Sequence, residues 1–252
     1  MKLLLITLIP LIILVIILVI EVGIAFLLPK GAIFTNPERT SRSFGEGGDP
    51  LRYLVMGDST GAGQGAVVDE GIAVLSAKYL AQKNKVEFMN VSISGATVAD
   101  VISDQLKFVD SFKPDIILIS AGANNVTHLT RLGELEQQID QLISEIVEKN
   151  CKAKIIVTAT PDMGTVPRFL FPLNFLATFQ TNRQNEVFDR IITKYDLTLA
   201  PIALETGPIF RKDKSLFAED KFHPNERGYL VWADVIHPAL DKAIASQPSH
   251  CK

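Results

Sequence analysis

Hydrophobic positions divide the chain into two unlike parts. From Leu3 to Leu28 the residues are apolar, with only Thr7, Pro10, Glu21 and Gly23 interrupting. That run exceeds the roughly 20 residues that cross a bilayer core. A secretory signal has an apolar stretch of about 7–15 residues and a small-residue cleavage site. Phe26-Leu27-Leu28-Pro29 offers no such site, so residues 1–29 are expected to form a retained membrane anchor. Residues 30–50 are rich in Gly, Pro, Ser and charge, lack periodicity, and read as a linker.

Beyond residue 50 the pattern alternates. Short apolar runs at 52–57, 86–91, 115–121, 154–159 and 197–201 predict strands. Amphipathic stretches at 71–83, 98–112, 132–150 and 175–194, and a last one at 226–245, predict helices. The clearest places Leu132, Leu135, Ile139, Leu142, Ile143, Ile146 and Val147 on one face at 3.6-residue spacing. Strands without polar alternation, separated by helices, predict a five-stranded parallel sheet covered on both faces. The expected three-layer α/β/α domain occupies 51–246, with a tail at 247–252. Reacting groups in such sheets gather at the carboxyl ends of the strands.

Composition adds limits. The 252 residues suffice for a full core, and a formal charge of −3 leaves no basic stripe, so nucleic acid is not an expected partner. Cys151 and Cys251 are too few for a disulfide framework, and with Cys251 in a tail expected to fray, pairing is not anticipated. Lys2 and the amino terminus on one side of the anchor nearly balance Lys30, Arg39 and Arg42 on the other, so charge alone does not set the topology.

The chemistry is sought at the strand ends. Ser59 follows the first strand in Gly57-Asp58-Ser59-Thr60-Gly61, a small-residue turn. Gly95 follows the second and Asn124 the third, while Asp220 and His223 precede the last helix. Acyl transfer needs these parts together: a hydroxyl, an imidazole to take its proton, a carboxylate to orient the imidazole, and donors for the oxyanion. The N–H groups of Ser59 and Gly95 and the amide of Asn124 are the expected donors.

These blocks resemble the SGNH (GDSL-like) hydrolase superfamily from about residue 52 to 245. The resemblance implies a flavodoxin-like sheet, with Ser59 as nucleophile, His223 as base, Asp220 as its orienter, and Gly95 and Asn124 in the oxyanion hole. It implies an esterase or lipase that needs no metal or cofactor and acts on a small-molecule or lipid ester. By the same analogy, the domain lies outside a bacterial cytoplasmic membrane, held by the N-terminal helix. Thr60 stands where the family usually has Leu, and Asn125 where it commonly has Asp.

Other readings use the same residues. The turn also satisfies G-x-S-x-G, the nucleophile elbow of α/β-hydrolases, but that fold places several strands before its elbow. A phosphate- or flavin-binding module could use the turn, yet no P-loop lysine lies there. No His, Cys and carboxylate cluster has metal-ligand spacing. Asp234-Val235-Ile236-His237-Pro238 repeats the Asp-x-x-His-Pro spacing but falls within the last helix, where a surface pair is expected. His128 reads as a solvated loop residue near Asn124.

After the fourth strand, Phe169, Leu170, Phe171 and Leu173 form an apolar, proline-punctuated run, expected to line an acyl pocket, touch the membrane or cover the core. An apolar pocket favours a lipid or acyl ester; a polar one favours an O-acetylesterase acting on a cell-envelope carbohydrate. The sequons at Asn90 and Asn125 lie beside the expected site, where a glycan would obstruct it, and point to a domain not exposed to glycosylation.

Overall fold

The chain begins with a helix that the rest of the protein leaves mostly uncovered. The computed structural model describes residues 2–27, 34, 36–246 and 251; the end of the expected anchor, part of the linker and most of the tail lie outside them. Helix α1 (Lys2–Leu27) is long and apolar enough to cross a membrane, a test that signal sequences also pass.

The remaining elements are β1 (Arg42–Phe44), β2 (Asp49–Gly57), a one-turn α2 (Ser59–Ala62), α3 (Ile72–Leu80), β3 (Asn84–Asn90), α4 (Val98–Asp100), α5 (Lys107–Phe112) and β4 (Ile116–Ser120). They continue with α6 (Ala123–Thr127), α7 (Leu132–Lys149), β5 (Lys154–Val157), α8 (Leu173–Lys194), β6 (Thr198–Leu199), α9 (Ile202–Lys212) and α10 (Glu226–Ala245). The sheet order is β1-β3-β2-β4-β5-β6. The five anticipated strands are mutually parallel, in the flavodoxin-like order.

The sheet has six strands, not five, because β1 pairs antiparallel with β3 at the edge. Three residues carry no readable alternation. Their place comes from the partner: Phe44 sits opposite Val86, and its ring meets that of Phe88 edge-on at 5.8 Å. The segment read as linker thus contributes a strand.

Alternation along β2 distributes the core. Leu54 and Met56 face a cluster with α7 and α8 (Leu135, Ile139, Phe188), while Tyr53 and Val55 face α3 and α10 (Ala77, Tyr229, Trp232). Both faces are therefore dry at the sheet's centre, which is why β2 from Tyr53, β4 and β5 read as continuous apolar runs.

Two helical readings need correction. The stretch 98–112 is not one α-helix, because a π turn at Val101–Gln105 separates α4 from α5. Helix α9 was not anticipated: Gly207 and Pro208 interrupt its helical pattern. Cys151 and Cys251 form a disulfide across a sequence separation of 100, against expectation.

Candidate active site

The serine turn is shaped by what its neighbours exclude. Gly57 has φ 149°, and a Cβ there would meet the Ser120 carbonyl oxygen at 1.9 Å, so only glycine fits. Asp58 caps α2 by accepting from the Thr60 N–H at 2.9 Å. The Thr60 hydroxyl donates to the same carboxylate at 2.7 Å and lies 2.8 Å from the Ser120 hydroxyl. The departure from Leu at this position is thus a polar tie across the turn. Burial pushes the Asp58 carboxyl above the usual carboxylate range, against the pull of the Thr60 hydrogen bonds. Ser59 opens α2, where no carbonyl one turn back receives its N–H.

Gln105 fixes this turn from behind. Its Oε1 accepts from the Gly57 N–H and its Nε2 donates to the Gly57 carbonyl, both at 2.8 Å, in a fully buried setting. The π turn brings this side chain into line. The available signal was a glutamine on the apolar face of 98–112, since a buried amide needs a specific partner.

Asp220 and His223 lie in the loop before α10. Asp220 Oδ1 accepts from the N–H groups of Phe222 (2.9 Å) and His223 (3.0 Å), leaving Oδ2 2.5 Å from His223 Nδ1. His223 Nε2 is 2.9 Å from Ser59 Oγ. Burial raises the Asp220 carboxyl, but the hydrogen bond and charge of His223 and the two N–H donors outweigh it, leaving the group below its ordinary value. Arg168 holds the loop from outside: Nε and Nη2 donate to the Asp220 carbonyl at 3.0 and 2.6 Å. A lone arginine in the apolar run at 166–173 was its sequence signal.

Of the other two residues expected here, Gly95 lies in the turn after β3 and Asn124 in the short α6 that follows β4. Gly95 has φ 86° with open space where a Cβ would be, so conformation rather than room calls for glycine. Asn124 Nδ2 donates one hydrogen to the Ala96 carbonyl at 3.0 Å, tying α6 to the Gly95 turn and leaving its second hydrogen for other partners. Asn125 is buried, accepting from the Val98 N–H and donating to the Thr130 hydroxyl. An amide does both jobs where a carboxylate could only accept.

His237 does not join them. It stacks on Tyr79 with ring centroids 4.1 Å apart, half-buried rather than in the surface pair expected with Asp234. His128 is exposed, as read.

An open cavity of about 450 Å³, solvent at its mouth included, lies beside Ser59 and His223. Met163, Val166, Phe210, Phe217, Phe222 and Trp232 give it a largely apolar wall. Phe169, Leu170, Phe171 and Leu173 do not border it. Of this stretch only the turn before Pro167 reaches the wall, through Met163, Thr165 and Val166. Phe169 meets Phe222 edge-on at 5.9 Å, whereas Leu170 and Phe171 are exposed. Among the described residues no group of three or more His, Cys, Asp or Glu side chains could hold a metal ion.

The model of the GDSL-like Lipase/Acylhydrolase family matches residues 55–231. The chain belongs to that family. This GDSL-like hydrolase is 27% identical over 237 residues to a GDSL-like esterase of Mycobacterium tuberculosis, covering 88% of its own length and 74% of that protein's. Among solved structures it resembles a variant of Axe2, an acetylxylan esterase from Geobacillus stearothermophilus (TM-score 0.63, 18% identity, 77% of this chain and 95% of that one). It also resembles the esterase EstA from Pseudoalteromonas sp. (TM-score 0.61, 19% identity, 78% and 100%). At these identities the solved structures speak to the fold. Family and curated relative together make the chain a serine ester hydrolase of the SGNH type.

Proposed function

We propose that this GDSL-like hydrolase cleaves carboxylic esters through an acyl-enzyme on Ser59. The observation that carries the reading is the unbroken hydrogen-bonded chain from Ser59 Oγ through His223 to Asp220. In the first half-reaction the Ser59 proton passes to His223 Nε2 as Oγ bonds to the ester carbonyl carbon. Asp220 keeps the imidazole oriented and stabilises its cationic form. The oxyanion is received by the N–H groups of Ser59 and Gly95 and by Asn124 Nδ2. As the carbonyl re-forms, the ester C–O bond breaks and the alcohol leaves with the proton from Nε2. Water then gives a proton to Nε2, attacks the acyl carbon and releases the acid, and Ser59 recovers its proton.

The apolar wall supports an ester whose acyl group is itself apolar, more than acetylated carbohydrate. Two features support a retained anchor with the domain on an extracytoplasmic face. The disulfide suits an oxidising compartment, and α1 makes hydrogen bonds to the domain at Leu173 and Arg168.

The test is fluorophosphonate labelling of the full chain in detergent, with turnover of p-nitrophenyl acetate, butyrate and octanoate. Labelling and turnover are expected in wild type and neither in Ser59→Ala, with butyrate or octanoate preferred. Unlabelled, inactive but folded wild type would refute the reading; strict acetate preference would transfer it to an O-acetylesterase.

A further inference from the structure

The first turns of α8 and the loop before it carry an apolar ridge that the fold leaves uncovered. Leu170 (51% exposed), Phe171 (77%), Phe175 (67%), Leu176 (43%) and Phe179 (53%) make it up. Phe175, Leu176 and Phe179 share one face of the helix at positions i, i+1 and i+4, while Ala177, Thr181 and Gln184 turn inward. Five large apolar side chains collected in one place on a protein surface mark an interaction site.

What covers the ridge is indicated by what adjoins it. The Leu173 N–H, between Phe171 and Phe175, donates to Glu21 Oε2 at 3.0 Å. Arg168 Nη1 donates to the Ala25 carbonyl at 3.2 Å. Glu21 and Ala25 are buried there, in contrast to the exposed apolar side chains along the preceding part of α1. From Glu21 to the end of α1 at Leu27 is about 9 Å at 1.5 Å per residue. If α1 spans a bilayer, this contact falls in the boundary zone between acyl chains and headgroups, which is about 5–10 Å deep for interfacial helices. One turn beyond Phe179, Arg183 holds its guanidinium 5.9 Å from that ring's centroid, where a cation can reach headgroup phosphate from an apolar base.

The ridge also leads to the site. Phe169 follows on from it and meets Phe222 at 5.9 Å, and Phe222 meets the His223 ring at 4.9 Å. Apolar surface thus continues from the ridge to the cavity rim.

We propose that Leu170, Phe171, Phe175, Leu176 and Phe179 are immersed in the bilayer that α1 spans, so that the active site takes its ester from the membrane. The immersion rests on α1 as a span, and the delivery of substrate rests on the esterase reading above.

The immersion is measured without catalysis. Full-length protein in phosphatidylethanolamine–phosphatidylglycerol nanodiscs, its native disulfide closed, carries a nitroxide at Phe175→Cys or, as a water-exposed control, at Lys85→Cys. Relaxation by oxygen is expected to exceed relaxation by a water-soluble nickel chelate at 175, with the reverse at 85. A nickel-dominated signal at 175, or one shielded from both agents, overturns the proposal. Delivery is read as the ratio of bilayer-dissolved p-nitrophenyl octanoate turnover to water-dissolved acetate turnover. Phe175→Ser with Phe179→Ser is expected to lower that ratio by about tenfold; an unchanged ratio overturns delivery. Loss of esterase activity in wild type would sink the esterase reading and leave the nitroxide result standing.

Discussion

Asp220-Lys221-Phe222-His223-Pro224 and Asp234-Val235-Ile236-His237-Pro238 have the same spacing of acid, imidazole and proline, yet they form different structures. In the loop, the Asp220 carboxylate divides its work: one oxygen gathers two backbone N–H groups and the other meets the imidazole at 2.5 Å. The backbone turn that makes this possible includes Lys221 at φ 54°, a conformation closed to a regular helix. In α10 the N–H groups belong to the helix ladder, Asp234 stays in solvent, and His237 stacks on Tyr79. A three-residue spacing therefore makes an oriented acid–base pair only where the backbone is free to fold around the carboxylate.

The largest expected contrast is catalytic. His223→Ala or Asp220→Asn should cut turnover of a p-nitrophenyl ester by roughly 10⁴-fold. His237→Ala and Asp234→Asn should leave it within about twofold, since neither touches the reacting groups. A large loss in both sets would break the comparison.

A second difference concerns pH. Burial disfavours the charged form of His237 and depresses its pKa, while Asp234, the Leu75 backbone and Asp241 pull weakly the other way. The unfolded chain takes up this proton below about pH 6.5, so stability from the neutral folded ring is present above that value and lost as pH falls. His237→Gln should therefore show a smaller fall in thermal midpoint between pH 7.5 and 5.5 than wild type. Equal falls would show that the ring titrates freely. The smallest effect should be that of Tyr79→Phe, which keeps the stack but loses the exposed hydrogen bond to Asp241. A midpoint shift below about 2 °C by calorimetry is expected.

The three central parallel strands were legible because Tyr53 to Met56, Ile116 to Ile119 and Ile155 to Val157 are buried on both faces and so written in uninterrupted apolar residues, whereas in β3 buried Val86 and Phe88 alternate with Lys85 and Glu87. Residues whose place depends on a distant partner were not. Arg42 to Phe44 become a strand only against β3. Gln105 matters because a π turn aims it at Gly57, and a sequence period of 3.6 does not announce that turn. The meeting of Ser59, Asp220 and His223 was readable from chain order and strand ends. The cavity wall was not, since Met163, Phe210, Phe222 and Trp232 come from separate segments. An apolar run looks alike whether it lines a pocket, meets a membrane or covers the core, which is why 169–173 was left open among the three.

The Cys151–Cys251 bond has a topological consequence. It closes β5, α8, β6, α9 and α10 into one covalent ring that contains Asp220 and His223 but not Ser59. A protease cutting between the exposed Lys214 and Ser215 would thus yield two strands of chain still tied together, the acid and imidazole unable to diffuse from the serine. Reducing the bond would convert the same nick into a true severing. Resistance to limited digestion in this hydrolase is therefore stored in the connectivity of its chain as well as in its packing.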